Sequence, residues 1–177
     1  MIVLAIDPSG SFKYGSGTSG WCVVDGETKE IVALGNIKAK DFKTREEYFD
    51  DHKRIATKYK HDVLVIENFI LYKNTASSMF NQELETSELI GVICDFEKEK
   101  KRKIVRQNAQ QIKTILKKNH ILLSIINERE KRLTFRTGKK DRVQWFFEEK
   151  RISNHIVDAI RHAFYYITKQ NQGEKEC

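Results

Sequence analysis

Met1-Ile2-Val3-Leu4-Ala5-Ile6-Asp7 is the stretch on which the fold turns: a continuous apolar run that ends on an acid. Such a run, too short for a buried helix and closed by Pro8, suits a strand inside a sheet. It has a counterpart in Asp62-Val63-Leu64-Val65-Ile66-Glu67, again apolar and again ending on an acid.

Working outward, a glycine- and serine-rich loop from Pro8 to Ser19 leads to a second strand, Gly20-Trp21-Cys22-Val23-Val24, closed by the turn signal Asp25-Gly26. A third strand, Lys29 to Ile37, completes an antiparallel meander. Thr44 and Glu47 have capping-box spacing and open a helix reaching Lys60. After the strand ending at Glu67, an amphipathic helix runs from Thr75 to about Lys98, carrying Phe80, Leu84, Leu89, Val92, Ile93 and Phe96. A short strand, Lys103 to Arg106, precedes a helix from Asn108 to Lys118. Val143 to Lys150 reads as helical, and Ser153-Asn154 caps a last helix from His155 to about Lys169. Hairpin strands followed by β-α alternation predict an α/β fold. Its mixed central sheet, a three-stranded antiparallel meander plus parallel strands, is flanked by helices. Residues 1–170 form one domain, and 171–177 a short disordered tail.

The chain has 177 residues, 40% of them hydrophobic and 32% charged, ordinary for a globular protein. No apolar run approaches the length of a membrane span, and the N-terminus lacks the pattern of a signal peptide, so a cytoplasmic protein is expected. Cys22, Cys94 and Cys177 form no CxxC pair, which argues against a zinc ribbon or a disulfide framework. Cys22, Cys94, Trp21 and Trp145 read as core residues. The net charge of +7 suits a polyanionic partner, nucleic acid above all. One basic stretch, Glu128 to Arg142, holds Arg129, Lys131, Arg132, Arg136, Lys139, Lys140 and Arg142 with Phe135 among them: a phosphate-tracking surface or a solvated face.

Asp7 and Glu67 end their strands, and ligands of open α/β sheets bind beyond the carboxyl ends of strands. If the two strands are neighbours, both acids stand at one edge. Asp158 and His155, three apart on the last helix, share a face and can reach the same place. Converging carboxylates repel one another unless a cation neutralises them, and oxygen-rich sites select Mg²⁺ or Mn²⁺. Two such ions can activate water and stabilise the leaving oxygen of a phosphodiester. Simpler readings stand beside this one. Strand-end acids often cap turns, and Asp158 falls outside the apolar arc of Ile156, Ile160, Ala163, Phe164 and Ile167, as a solvent-facing residue would. His155 alone reads as an ordinary first-turn residue. His52, His61, His120 and His162 show no paired metal spacing.

Ile6-Asp7-Pro8, Gly20-Trp21-Cys22-Val23-Val24 and Ile66-Glu67-Asn68-Phe69 together resemble the RuvC group of Holliday junction resolvases, within the RNase H-like superfamily. The resemblance continues through Lys73-Asn74, Ser77, Gly91-Val92, Lys113, Lys140, Val143-Gln144 and Asp158-Ala159-Ile160, covering nearly the whole chain in order. It implies a homodimeric endonuclease of DNA recombination and repair. Such an enzyme nicks four-way junctions by two-metal hydrolysis and leaves 5′-phosphate ends, using two Mg²⁺ per site with Mn²⁺ able to substitute. It implies metal binding by Asp7, Glu67, His155 and Asp158, with Lys140 as a further catalytic residue. It also implies DNA contacts from Phe69, Ile70, Tyr72, Lys73, Lys113, Arg136, Lys139, Lys140 and Arg142. A surplus apolar stripe on the long helix would be the dimer face.

Three departures stand out. His155 occupies a position where many family members have an acid, although histidine there is also a known variant. The loop after Asp7 is longer, giving Phe12, Lys13 and Tyr14 room for contacts the typical enzyme lacks. The family's aromatic wedge position holds Ile70, which shifts stacking to Phe69 or Tyr72 or weakens it. The competing readings are a broader branched-DNA or RNA–DNA hybrid nuclease of the same fold and a catalytically silent nucleic-acid-binding module. A Lys- and Ile-rich chain suits an AT-rich genome, in a bacterial cell or a phage-infected host.

Overall fold

β1 (Ile2–Asp7) is the middle strand of a five-stranded sheet ordered β3-β2-β1-β4-β5. β2 (Thr18–Asp25) and β3 (Ile31–Lys38) form the expected antiparallel meander with it. β4 (Val63–Asn68) and β5 (Lys103–Asn108) extend the other side in parallel. This is a computed structural model describing residues 1–69, 76–108, 112, 130–137 and 143–173, without the side chains of 76–84, 137 and 171–173.

The apolar runs of β1 and β4 are continuous because both faces of the sheet are covered. Leu4, Ile6, Leu64 and Ile66 face a core completed by α1 (Arg45–Lys58) and α2 (Ala76–Glu99). Val3, Ala5, Val63 and Val65 face the opposite core, completed by α3 (Asn154–Gly173). Burying each such side chain contributes about 1.5–3 kcal/mol. Side chains alternate along a strand, so Asp7 and Glu67 inherit the α3 side. Helix α1 opens as predicted: the Glu47 amide donates to the Thr44 hydroxyl at 3.2 Å, and the Glu47 carboxylate accepts from the Thr44 amide at 3.3 Å. Cys22, Cys94, Trp21 and Trp145 are buried, as the sequence predicts.

The stretch read as a helix over Val143–Lys150 is instead a hairpin. β6 (Leu133–Thr137), β7 (Val143–Phe147) and β8 (Lys150–Arg151) form a second, three-stranded antiparallel sheet. Phe147 pairs with Lys150 across Glu148 and Glu149, whose φ angles of 48° and 65° lie in the left-handed region. A two-residue turn of this kind favours Asn and Gly, so Glu-Glu gives no sign of it in the sequence. Leu133 and Trp145 join the core beneath α3. The last helix continues to Gly173, beyond the expected end near Lys169. Of the helix expected over Asn108–Lys118, Asn108 is instead the last residue of β5, Ile112 is buried, and the rest lies outside the described residues.

Two contacts fix the elements around the strand ends. A Cβ on Gly20 would lie 2.1 Å from the backbone carbon of His155, so only glycine lets the start of α3 settle on β2. At the edge strand β3, Glu130 accepts from the Ile31 amide at 2.8 Å while Arg132 donates to the Ile31 carbonyl at 2.8 Å. Burial works to raise the Glu130 carboxyl, but hydrogen bonds from Arg132 and Ile31 outweigh it and leave it below the ordinary range.

Candidate functional site

Parallel pairing sets Ile6 beside Ile66, so the next residues, Asp7 and Glu67, stand side by side at the same ends of β1 and β4. The first turns of α3 cross the same edge. His155 Nδ1 lies 2.8 Å from Asp7 Oδ2, two residues 148 apart in sequence. Asp158 sits one turn further along, its side chain 17% exposed and paired with Arg161 at 2.8 Å. It is therefore not the solvent-facing residue that periodicity alone suggests.

The electrostatics tie these groups together. Burial raises the Asp7 carboxyl above its ordinary value, and the charges of Glu67 and Asp158 push the same way, against the stabilising bond from His155. The His155 imidazole is raised in turn, first by its hydrogen bond to Asp7 and then by the three nearby acids, against the opposing effect of burial. The structure thus brings Asp7, Glu67, His155 and Asp158 into one electrostatic neighbourhood.

His162 belongs to this neighbourhood, although no spacing in the sequence singles it out. Two turns beyond His155 and only 2% exposed, it places Nε2 2.9 Å from Glu67 Oε2 and Nδ1 2.8 Å from Gln107 Oε1. Its partners lie on two other strands, a relation that no local spacing encodes.

Among the described residues, no three of His, Cys, Asp or Glu form a ready-made metal cage. The reason is visible in the pairing: Asp7, Glu67 and Asp158 each turn an oxygen to a histidine or to Arg161. The chemistry of the set nevertheless fits a hard divalent cation. Three carboxylates share one edge, and one of them is desolvated and repelled by the other two. Asp7 Oδ1 and Glu67 Oε1 take no hydrogen bond among the described residues.

A polar network underlies the loop that follows Asp7. The His52 ring donates from Nδ1 to the Tyr48 carbonyl at 2.8 Å, so its Nε2 accepts from Ser19 Oγ, also at 2.8 Å. Ser19 Oγ accepts from the Ser9 amide, and the Tyr48 hydroxyl donates to the Ser9 carbonyl. Gly10 and Phe12 donate to Thr86 and Glu85 of α2, both at 2.9 Å. Phe12 stacks on Tyr48, while Tyr14 is 55% exposed.

Of the expected DNA-contacting residues, Arg136 stands exposed on β6 with its guanidinium 4.8 Å from the centre of the Phe146 ring. Phe69 is half-buried against the core beneath α1 and α2. Ile70, Tyr72, Lys73, Lys113, Lys139, Lys140 and Arg142 lie outside the described residues.

No family model matches the chain, and no curated protein does. Among solved structures, Thermus thermophilus RuvC superposes with a TM-score of 0.66 at 15% identity, over 98% of this chain and 97% of that one. T. thermophilus RuvC in complex with its Holliday junction substrate gives 0.62 at 14% identity, over 92% and 90% of the two chains. The meander, the two parallel strands and the helices on both faces define the RNase H-like fold class. Within that class, the particular fold is that of RuvC.

Proposed function

We propose that this protein is a structure-selective DNA endonuclease that cleaves four-way junctions by metal-dependent phosphodiester hydrolysis. One observation carries the reading: in a RuvC fold, two acids end neighbouring parallel strands and face a helix that brings His155 and Asp158 to the same edge. Asp7, Glu67, Asp158 and His155 are the residues to hold Mg²⁺ or Mn²⁺, two ions per site. Bound there, the ions would supply an activated water and charge stabilisation at the leaving oxygen, giving 5′-phosphate ends. Asp7 and Glu67 would offer Oδ1 and Oε1. His155 is oriented through Nδ1 by Asp7, which leaves Nε2 on the outer side of the ring.

The substrate side rests on charge. A chain of net charge +7 that sets Arg136 exposed on one hairpin, its guanidinium over the Phe146 ring, presents a cationic surface to the phosphate backbone. Lys139, Lys140, Arg142, Lys113 and Lys73 add to it on this reading, with Lys140 near the scissile phosphate. A two-fold junction suits a homodimer acting in the cytoplasm of a bacterial cell or phage-infected host.

The test is cleavage of a synthetic mobile four-way junction beside duplex, flap and RNA–DNA hybrid, each with Mg²⁺, Mn²⁺ or EDTA. Paired symmetric nicks on the junction alone, lost in EDTA, are expected. Metal-dependent cutting of every branched substrate or of the hybrid would replace the narrow specificity with a broad one. Binding without cutting in either metal would leave a silent binding module.

A further inference from the structure

We infer that His162, held by Gln107, is a positioning residue for Glu67: it fixes Oε2 inward and leaves Oε1 as the single oxygen facing the site. This rests on the nuclease reading above and concerns how one of its acids is presented.

Glu67 on β4 and Gln107 on β5 are register partners in a parallel pair, so their side chains emerge together on the α3 side. His162 comes down from α3 between them and bonds both, at 2.9 and 2.8 Å. A carboxylate can only accept, so Nε2 carries a hydrogen and donates to Glu67. Gln107 meets Nδ1 through its amide, a group able to present either oxygen or NH₂, and so fixes the ring plane. The histidine is 2% exposed and cannot swing out, while the Glu67 side chain keeps 21% of its surface open to the site.

An unheld glutamate has freely rotating bonds and two equivalent oxygens. Here one oxygen is committed before any cation or phosphate arrives, which favours single-oxygen over two-oxygen contact. Residues that orient a ligand in this way cost 10–100-fold in metal affinity or activity when removed. His155 meets Asp7 two turns earlier on the same helix, there through Nδ1, so α3 grips both acids.

The experiment compares full-length wild type with His162→Ala, His162→Gln and Gln107→Ala. Crystal structures without metal show the Glu67 rotamer, calorimetry measures Mn²⁺ affinity without DNA, and steady-state cleavage of a four-way junction separates kcat from KM. In His162→Ala, Glu67 should lose its single orientation and Mn²⁺ affinity should fall 10–100-fold. The kcat should drop by a similar factor at limiting Mn²⁺, with KM for the junction unchanged. His162→Gln, whose amide reaches the place of Nε2, should restore most of the loss, and Gln107→Ala should be intermediate. Unchanged Mn²⁺ affinity in a folded His162→Ala overturns the inference, as does a His162→Gln no better than alanine, which would make the residue mere packing. A wild type that holds Glu67 in this pose yet neither binds Mn²⁺ nor cuts any DNA overturns the nuclease reading itself, and the positioning role with it.

Discussion

Two histidine–carboxylate clusters stand at opposite ends of the same sheet. Before β4 and β5, His61 bonds Glu97 Oε2 at 2.9 Å, and Arg102 takes Oε1 at 3.2 Å while also donating to the Ala56 carbonyl. The side chains of His61 and Glu97 are fully buried, and both oxygens of the single acid are used. Beyond the other ends of the strands, Asp7, Glu67 and Asp158 face His155, His162 and Arg161, and the His155 side chain is 44% exposed. One cluster is sealed and has a base for each oxygen. The other has three acids, is open to solvent at His155, and among the described residues leaves Asp7 Oδ1 and Glu67 Oε1 unbonded. Residue types do not separate a lock from a site; the balance of charge and the access of water do.

The comparison breaks most sharply at Asp7. Asp7→Asn should lower junction cleavage by at least about a thousandfold, the scale on which removing a catalytic group costs activity. Junction binding, measured by gel shift in Ca²⁺, should persist. Full activity in this variant sinks the assignment of the open cluster as the site. At the sealed end, Glu97→Ala should cost about 3 kcal/mol of stability in urea unfolding, because His61 is left buried, and Arg102 half-buried, without their partner. Activity per folded molecule should stay close to wild type. If Glu97→Ala lost activity without losing stability, the two ends would have been assigned the wrong way round.

Much of this was legible in the sequence, and for a physical reason. β1 and β4 are buried on both faces, so their apolar runs are unbroken and their terminal acids stand out. The first turn of α3 follows from local caps and spacing. What escaped was either long-range or locally contradictory. His162 owes its role to Glu67, 95 residues away, and no periodicity reports such a meeting. β7 reads as helix because its turn uses Glu148 and Glu149 at positive φ, where the surrounding strands impose what the residues do not prefer.

A third prediction concerns the scaffold under the loop after Asp7. Burial holds the His52 imidazole down at about 4, against an unfolded value of 6.5. Its folded pKa is depressed, so the stability it preserves is complete above pH 6.5 and is lost progressively as the pH falls to about 4. The loss amounts to about 3 kcal/mol, and His52→Gln should flatten that part of the profile in urea melts between pH 7 and 4.

The smallest effect sharpens the contrast most directly. Burial and the neighbouring acids raise Asp7 in the folded protein, so its charge opposes folding at neutral pH. Asp7→Asn should therefore raise the urea midpoint at pH 7, where Glu97→Ala lowers it. The folded state takes up the Asp7 proton more readily than the unfolded chain, so the gain should shrink as the pH falls through Asp7's raised pKa toward 3.8. A midpoint that falls at pH 7 would mean the Asp7–His155 bond outweighs the repulsion.

The Glu130–Arg132 pair on Ile31 bears on how molecules of this protein avoid one another. β3 ends the sheet, and an open strand edge is a template on which a second chain can add itself and begin a fibre. Glu130 and Arg132 occupy the amide and the carbonyl of Ile31, the two groups through which an incoming strand would find its register there. A chain crowded with its own copies would meet, at that point of the edge, a guarded border in place of a template.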